Sequence, residues 1–466
     1  MTKKPKHKSV RGRRFTCASG VLLAALCLAF GSTGAVANQP ADVSLTQDQI
    51  TAFQSVPETE QVRMLIMLCK SGKHELAAAL LRQFPLQGQH AANRTLYIEG
   101  LILNGRKDYT GAVEKYRAAL ASDPKLTLVR SDLAKALVVL EQDESAIHHL
   151  KLLAADAPDD QAASGIRSFI DQVDERSPFK TNAYISLAPS SNVNNGSRHA
   201  VVYMPGWGYV PLGQQSRENS GIGFASGSSL GYSKRLGNDF SFVGALNENA
   251  TIYANHAFNS YSFSQSVEIR RVFERGYLGL GAVANQSLKN DEWGLAYHAY
   301  GPRLSVRFAI TPQDTISASA VYEWRDVADS VNSDGTALLM QASLTHAFDS
   351  SFTGTINLGF DKINVKLENT SYETFSGGLG FYKELPLGIT ANIGGQMRYS
   401  NFDGVYPDGT SREDTRLTGT IGLTKRDFNI FGFAPAIEYS YTENISNIDL
   451  FDFNSHSFDV RLTKQF

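Results

Sequence analysis

The sequence predicts an N-terminal tetratricopeptide-like α-helical repeat region followed by a transmembrane antiparallel β-barrel of about fourteen strands, and three observations predict it. From about Gln61 to Val173 the chain is rich in Ala and Leu and repeats its apolar residues at a helical period. From Thr181 onward Gly, Ser, Thr, Asn and Tyr take over, and apolar and polar residues alternate. The chain closes on SFDVRLTKQF, where Phe458, Val460, Leu462 and Phe466 share one face and Asp459, Arg461, Thr463 and Gln465 the other. One side of that segment suits hydrocarbon and the other suits water.

The first residues address the compartment. Lys3, Lys4, Lys6, Lys8, Arg11, Arg13 and Arg14 form a basic start, Val21 to Phe30 an apolar core, and Ala35-Val36-Ala37 a small-residue cleavage site. Residues 1–37 therefore read as a secretory signal peptide, with Asn38 as the first mature residue. The apolar run is too short for a spanning helix of about 20 residues. Leu26 stands where a lipid-attachment cysteine at Cys27 would need a small residue. With Cys17 and Cys27 removed, Cys69 remains alone, so no disulfide framework is available. The 44 Lys and Arg against 46 Asp and Glu give a net charge of -2, which argues against nucleic acid as a partner.

Residues 38–176 form the helical part. Ala112 and Ala146, Gly100 and Ala134, and Pro124 and Pro158 recur at a spacing of 34 residues. Small residues at fixed sites let paired helices approach, and the proline stops the second helix of each pair. The pattern resembles the tetratricopeptide repeat. RMLIMLCKSGKHELAAALLRQF reads as a degenerate earlier copy, and Ala162 to Val173 as a capping helix. The plain alternative is an unspecialised helical bundle. Asp174-Glu175-Arg176-Ser177-Pro178 is the connector.

Residues 177–466 form the barrel part. Ile316, Ala318, Ala320, Tyr322 and Trp324 oppose Thr315, Ser317, Ser319, Glu323 and Arg325; Ile389, Ala391, Ile393, Met397 and Tyr399 oppose Thr390, Asn392, Gln396, Arg398 and Ser400. Each such segment has room for the roughly 9–11 residues a tilted strand needs to cross hydrocarbon. Starting from a first strand at Asn182 to Ala188, the connections alternate. RLGND, FERG, TPQD, FDSS and ELPLG are tight, whereas the stretch from Ser190 to Asn219, DGVYPDGTSRED and ENISNIDLFDFN are expected to be long loops. A soluble β-sandwich or propeller predicts no such alternation. In a barrel the last strand must pair with the first, because an open edge in lipid leaves backbone groups unmet.

Catalysis finds no support in the residues. Ser455 and Ser457 flank His456 and point away from it if extended, Ser197 and His199 lie in a Gly- and Asn-rich loop, and His148-His149 reads as a solvated helix face. No zinc spacing, cofactor fingerprint or phosphate-binding loop occurs. The candidate lumen or client contacts are Asn192, Asn194, Glu323, Arg325, Arg398 and Glu438, joined on the polar face by Asn392 and Gln396. For the four charged residues the plain reading is mutual satisfaction inside the barrel. For the two asparagines it is turn chemistry.

Repeats followed by such a barrel resemble the surface lipoprotein assembly modulator family, Slam. The resemblance spans nearly the whole mature chain and is sharpest at AYISLAPSSNVNNGS, where Pro189, Ser191, Asn192, Val193 and Asn194 are similar to the family's serine–asparagine signature. It implies an outer-membrane translocon, its helical domain in the periplasm, that moves a client protein to the cell surface. The client that the resemblance implies is a surface lipoprotein or a secreted haem- or metal-uptake protein. The other partners implied are the lipid bilayer, periplasmic chaperones and the barrel insertion machinery, which would read Phe458, Val460, Leu462 and Phe466. An exopolysaccharide exporter, which also joins such repeats to a barrel, is the rival reading.

Overall fold

The computed structural model describes residues 44–464 apart from 238, 289–294, 329–330, 427 and 429–432. The expected signal peptide and the terminal Phe466 lie outside the described residues. The chain divides into two compact units, Met1–Ala112 and Val113–Phe466.

In the first unit lie α1 (Gln47–Gln54), α2 (Glu58–Lys70), α3 (His74–Gln83), α4 (Ala91–Gly105) and the start of α5 (Tyr109–Ser122). A capping box opens α1: the Thr46 side chain accepts from the Gln49 N–H, and the Gln49 side chain accepts from the Thr46 N–H. Phe53, Leu65, Ala77, Leu80 and Ile98 have no solvent exposure and form the core. Arg106 closes α4 onto α3 with two bonds to Glu75, at 2.8 and 2.7 Å, and draws that carboxyl below its ordinary range. Burial pushes the Cys69 thiol up to about 12, which marks it as packing rather than chemistry.

The second unit continues with α6 (Thr127–Val139), α7 (Asp143–Ala155) and α8 (Asp160–Arg176). One turn joins the helices of three successive hairpins. Gly72, Lys107 and Glu141 take left-handed φ values of 81°, 65° and 57°. The following amide in each case reaches back to the carbonyl five residues earlier: Lys73 to Leu68, Asp108 to Leu103 and Gln142 to Leu137. This satisfies carbonyls that a helix end would leave bare. The helix α8 caps the stack, with Ile166, Phe169 and Ile170 packed on Ala134, Leu150 and Leu153.

The strands follow. They are β1 (Phe179–Ser190), β2 (Val201–Met204), β3 (Gly208–Pro211), β4 (Gly221–Arg235), β5 (Phe240–Tyr253), β6 (Ser260–Phe273), β7 (Gly276–Leu288), β8 (Leu295–Ala309), β9 (Asp314–Val327), β10 (Gly335–Asp349), β11 (Phe352–Val365), β12 (Tyr372–Leu385), β13 (Ile389–Val405), β14 (Ser411–Lys425), β15 (Ala434–Ser446) and β16 (Phe453–Thr463). All but β2 and β3 close into one antiparallel barrel, in which β1 pairs with both β4 and β16. β2 and β3 form a separate hairpin within the connection from β1 to β4. Ile185, Leu187, Phe224, Leu280, Leu358 and Phe381 stand exposed on the outer face, while their neighbours in sequence turn inward. Aromatic rings mark both ends of that apolar band, with Phe348, Phe352 and Phe381 stacked near one rim and Tyr300, Trp324 and Tyr322 near the other.

The connections depart from expectation on one side. Residues 274–275, 350–351 and 386–388 are tight turns, and 191–220 is long. The expected loops at 403–414 and 443–454 are about half strand, however: β13 runs to Val405 and β14 resumes at Ser411, while β15 runs to Ser446 and β16 resumes at Phe453. The first strand also extends beyond both expected ends. The barrel strands run to 17 residues in β13, longer than hydrocarbon requires, because ladder pairing continues past the apolar band.

Candidate functional site

Three places concentrate the chemistry of the barrel unit: its lumen, the rim that carries the long connection, and the opposite rim, where helices dock. In the lumen each charged candidate has a partner. Glu323 is 2% exposed and accepts from Asn285 Nδ2 at 2.6 Å. Arg325 donates to the Tyr297 hydroxyl at 3.1 Å and lies over that ring. Arg398 meets Asp361 at 3.2 Å, and Glu438 meets Arg461 at 3.2 Å. The first two share β9, and the others stand apart on β13 and β15, so the four do not converge on one point. A separate cavity is lined by Arg303, Arg307, Gln341, Asn357, Gln396 and Thr418 among smaller Ser and Gly residues.

At the rim of the long connection, the two asparagines of the signature act as braces. Buried Asn192 donates through Nδ2 to the carbonyls of Gly196 (2.9 Å) and Asn454 (3.0 Å), and its Oδ1 accepts from the Gly196 N–H. Asn194 donates to the carbonyls of Gln215 and Arg217, both at 2.8 Å, and accepts from the Asn219 N–H. The left-handed residue of this segment is Asn195, with φ 50°, so the backbone turn that asparagine favours falls just after them. Gly196 follows because a Cβ there would stand 2.2 Å from the Arg217 oxygen. Phe458 and Val460 point outward from β16, about half exposed, beside Ile185 and Leu187 of β1.

At the opposite rim, helices of the same unit meet the tight turns of the barrel. Arg130 of α6, with no exposure, bonds Glu384 of β12 at 2.7 Å, and Arg426 bonds the other oxygen of that carboxylate at 2.7 Å. Arg130 also donates to the Pro124 carbonyl at 2.6 Å and lies 3.2 Å from His149 Nδ1. Lys125 meets Asp349 at 2.9 Å. On the far side of the rim, α8 joins in through Asp160 with Arg275 (2.9 Å) and Asp171 with Arg235 (3.0 Å). A cavity remains on the side of the Glu384 cluster, lined by Arg117, Glu144 and His148 from the helices and by Tyr382, Arg426 and Lys464 from the barrel side.

This rim corrects the reading of His148-His149 as a solvated face. His149 is buried, and His148 lies 3.7 Å from Glu384. Burial above all, reinforced by the adjacent His148 and Arg130, holds His149 well below the usual histidine range. The cluster itself escaped sequence reasoning. Its one local signal is Arg130, a cation set in the apolar helical stripe of Val129, Leu133 and Leu137.

Residues 179–466 match the family model described as "Surface lipoprotein assembly modifier", and residues 103–168 match a tetratricopeptide repeat model. Among curated relatives, "Surface lipoprotein assembly modifier 1" of Haemophilus influenzae strain KW20 Rd is 18% identical over 438 residues, covering 92% of this chain and 88% of the relative. Its namesake in Neisseria meningitidis serogroup B strain MC58 is 23% identical over 398 residues, covering 82% and 77%. Among solved structures, Wzi, an outer-membrane carbohydrate-binding β-barrel involved in Escherichia coli group 1 capsule assembly, aligns at TM-score 0.33 and 9% identity, over 69% of this chain and 92% of its own.

Proposed function

Because the chain belongs to the surface lipoprotein assembly modifier family, we propose that it is a translocon carrying a client protein across the outer membrane, from the periplasm to the cell surface. The client is a surface lipoprotein or a secreted haem- or metal-uptake protein. Residues 1–37 direct export, 38–176 engage the client in the periplasm, and 177–466 provide the route. The observation that carries the reading is the union, in one compact unit, of a closed barrel and helices tied to one rim by a buried ion cluster. A passive pore has no use for that attachment.

The residues divide the work. Asn192, Asn194, Glu323, Arg325, Arg398 and Glu438 offer polar contacts along the path, in exchange for the partners they hold at rest. The last strand, through Phe458, Val460, Leu462 and Phe466, is read by the machinery that inserts barrels, and periplasmic chaperones keep the client unfolded on the way. The sequence has no phosphate-binding loop, so the free energy comes from the client: folding outside withdraws the unfolded chain from the exit side.

Deleting the gene and treating intact cells with protease tests this. One surface protein is expected to become inaccessible outside while persisting inside. Loss of a surface polysaccharide with all surface proteins in place would instead favour a sugar exporter, and no change in either would end both readings.

A further inference from the structure

We propose that the seam between β1 and β16 opens sideways, and that the acyl chains of a lipidated client leave the lumen through it into the lipid. The inference rests on the translocon reading above. It starts from an uneven ladder. β1 pairs with β4 at every residue from Phe179 to Ser190. Toward β16, among the described residues, it pairs at Tyr184–Thr463, Ile185–Leu462, Ser186–Arg461 and Leu187–Val460, and then again at Ser190–Ser457.

Pro189 lies in the gap, and its orientation explains it. The Lys464 amide bonds the Ala183 carbonyl, and the Ser191 amide bonds the His456 carbonyl. Residues 183 and 191 of this extended run therefore turn their backbone groups toward β16, and at period two so does residue 189. A proline there presents no N–H, and the Phe458 carbonyl opposite loses its donor. Pro302 interrupts β8 against β9 as well, but that ladder resumes at Arg303–Val321 and continues to Ala309–Thr315.

Past Pro189 the seam is held chiefly by side chains. Ser190 Oγ meets Ser455 Oγ at 3.1 Å, and the His456 N–H donates to Ser191 Oγ at 2.9 Å. Ser455 Oγ donates to the Asn192 carbonyl at 3.3 Å, and Asn192 Nδ2 to the Asn454 carbonyl at 3.0 Å. Such bonds exchange with water more readily than a continuous ladder, and they release one at a time. The serine–asparagine run is thus a clasp. A cleft framed by Pro189, Ile222, Tyr439 and Phe458 reaches Ser190 and Ser457, whose alternation with outward Leu187, Pro189, Phe458 and Val460 turns them toward the lumen.

A disulfide across the clasp tests the opening. Ser190→Cys with Ser457→Cys joins directly opposed residues. Ser317→Cys with Ser343→Cys, whose hydroxyls now lie 2.7 Å apart, locks a regular ladder as the control. The probe is the surface lipoprotein that gene deletion removes, detected by antibody on intact cells, beside a version lacking its lipid-attachment cysteine, which has no anchor and is measured in the medium. In the oxidised seam variant the lipidated probe is expected to fall at least about ten-fold on the surface, because the covalent bond holds the seam in its closed state. Reductant is expected to restore it. The control pair and the unlipidated probe are expected to remain at wild-type level. Display of the lipidated probe through a locked seam would overturn the inference while leaving the translocon reading intact, and equal blockage of both probes would overturn the assignment to acyl chains. If deletion of the gene removes no surface protein, the translocon reading itself fails.

Discussion

Arg130 illustrates what a single residue can commit a fold to. Its guanidinium has no contact with water, and Glu384, equally buried, is the carboxylate that compensates it. Removing one member of a buried pair strands the other charge at a cost of about 3–5 kcal/mol, whereas replacing both with apolar residues is often nearly neutral. Glu384→Ala is therefore expected to lower the unfolding temperature of the detergent-solubilised protein markedly, and Arg130→Met with Glu384→Leu and Arg426→Met, which also removes the second cation on that carboxylate, to regain most of the loss. Equal destabilisation of the single and triple variants would contradict this account. At this scale the sequence was only partly legible. Arg130 stands out as a cation in an apolar stripe, but its partner lies 254 residues away and no local pattern joins them. The asparagines of the signature were visible as unusual residues, while their bonds to 196, 215, 217 and 454 depend on how the connection folds back.

Helices and strands were far more legible, because their periods are properties of adjacent residues. The three helix hairpins share a left-handed turn residue, yet only Gly72 is the type that adopts it freely; Lys107 and Glu141 pay the steric cost. Lys107→Gly is accordingly expected to stabilise the helices by about 1 kcal/mol, read as an upward shift in thermal unfolding. A downward shift would mean that the Lys107 side chain matters more than its backbone. The strands declared themselves by alternation. Their ends did not, since Ser411 to Asp414 reads as loop while Arg412 and Asp414 pair with each other on β14, and buried Asn444 near the end of β15 bonds the Phe451 carbonyl. Polar residues suffice in a strand when ladder and side-chain partners meet their hydrogen bonds.

At the largest scale the barrel inverts the usual layering, with apolar side chains outside and polar ones within, while the helices keep their apolar core inside. An outward position at mid-strand such as Leu358, 61% exposed, should then tolerate no charge. Leu358→Arg is expected to cost about 2–4 kcal/mol in unfolding from a lipid bilayer, and Gln396→Ala, on the inner face, far less. Similar costs at both would remove the membrane from the argument. The sequence by itself determined the two halves, the helical period, the strand alternation and the demand for closure, all of which follow from spacing along the covalent chain. Tertiary structure alone decided which charges meet at the helix-bearing rim, that His149 is buried, and that β1 and β16 are joined in part by a clasp of side chains. Those outcomes depend on residues hundreds of positions apart becoming neighbours only when the ring closes, and a one-dimensional pattern carries no record of that.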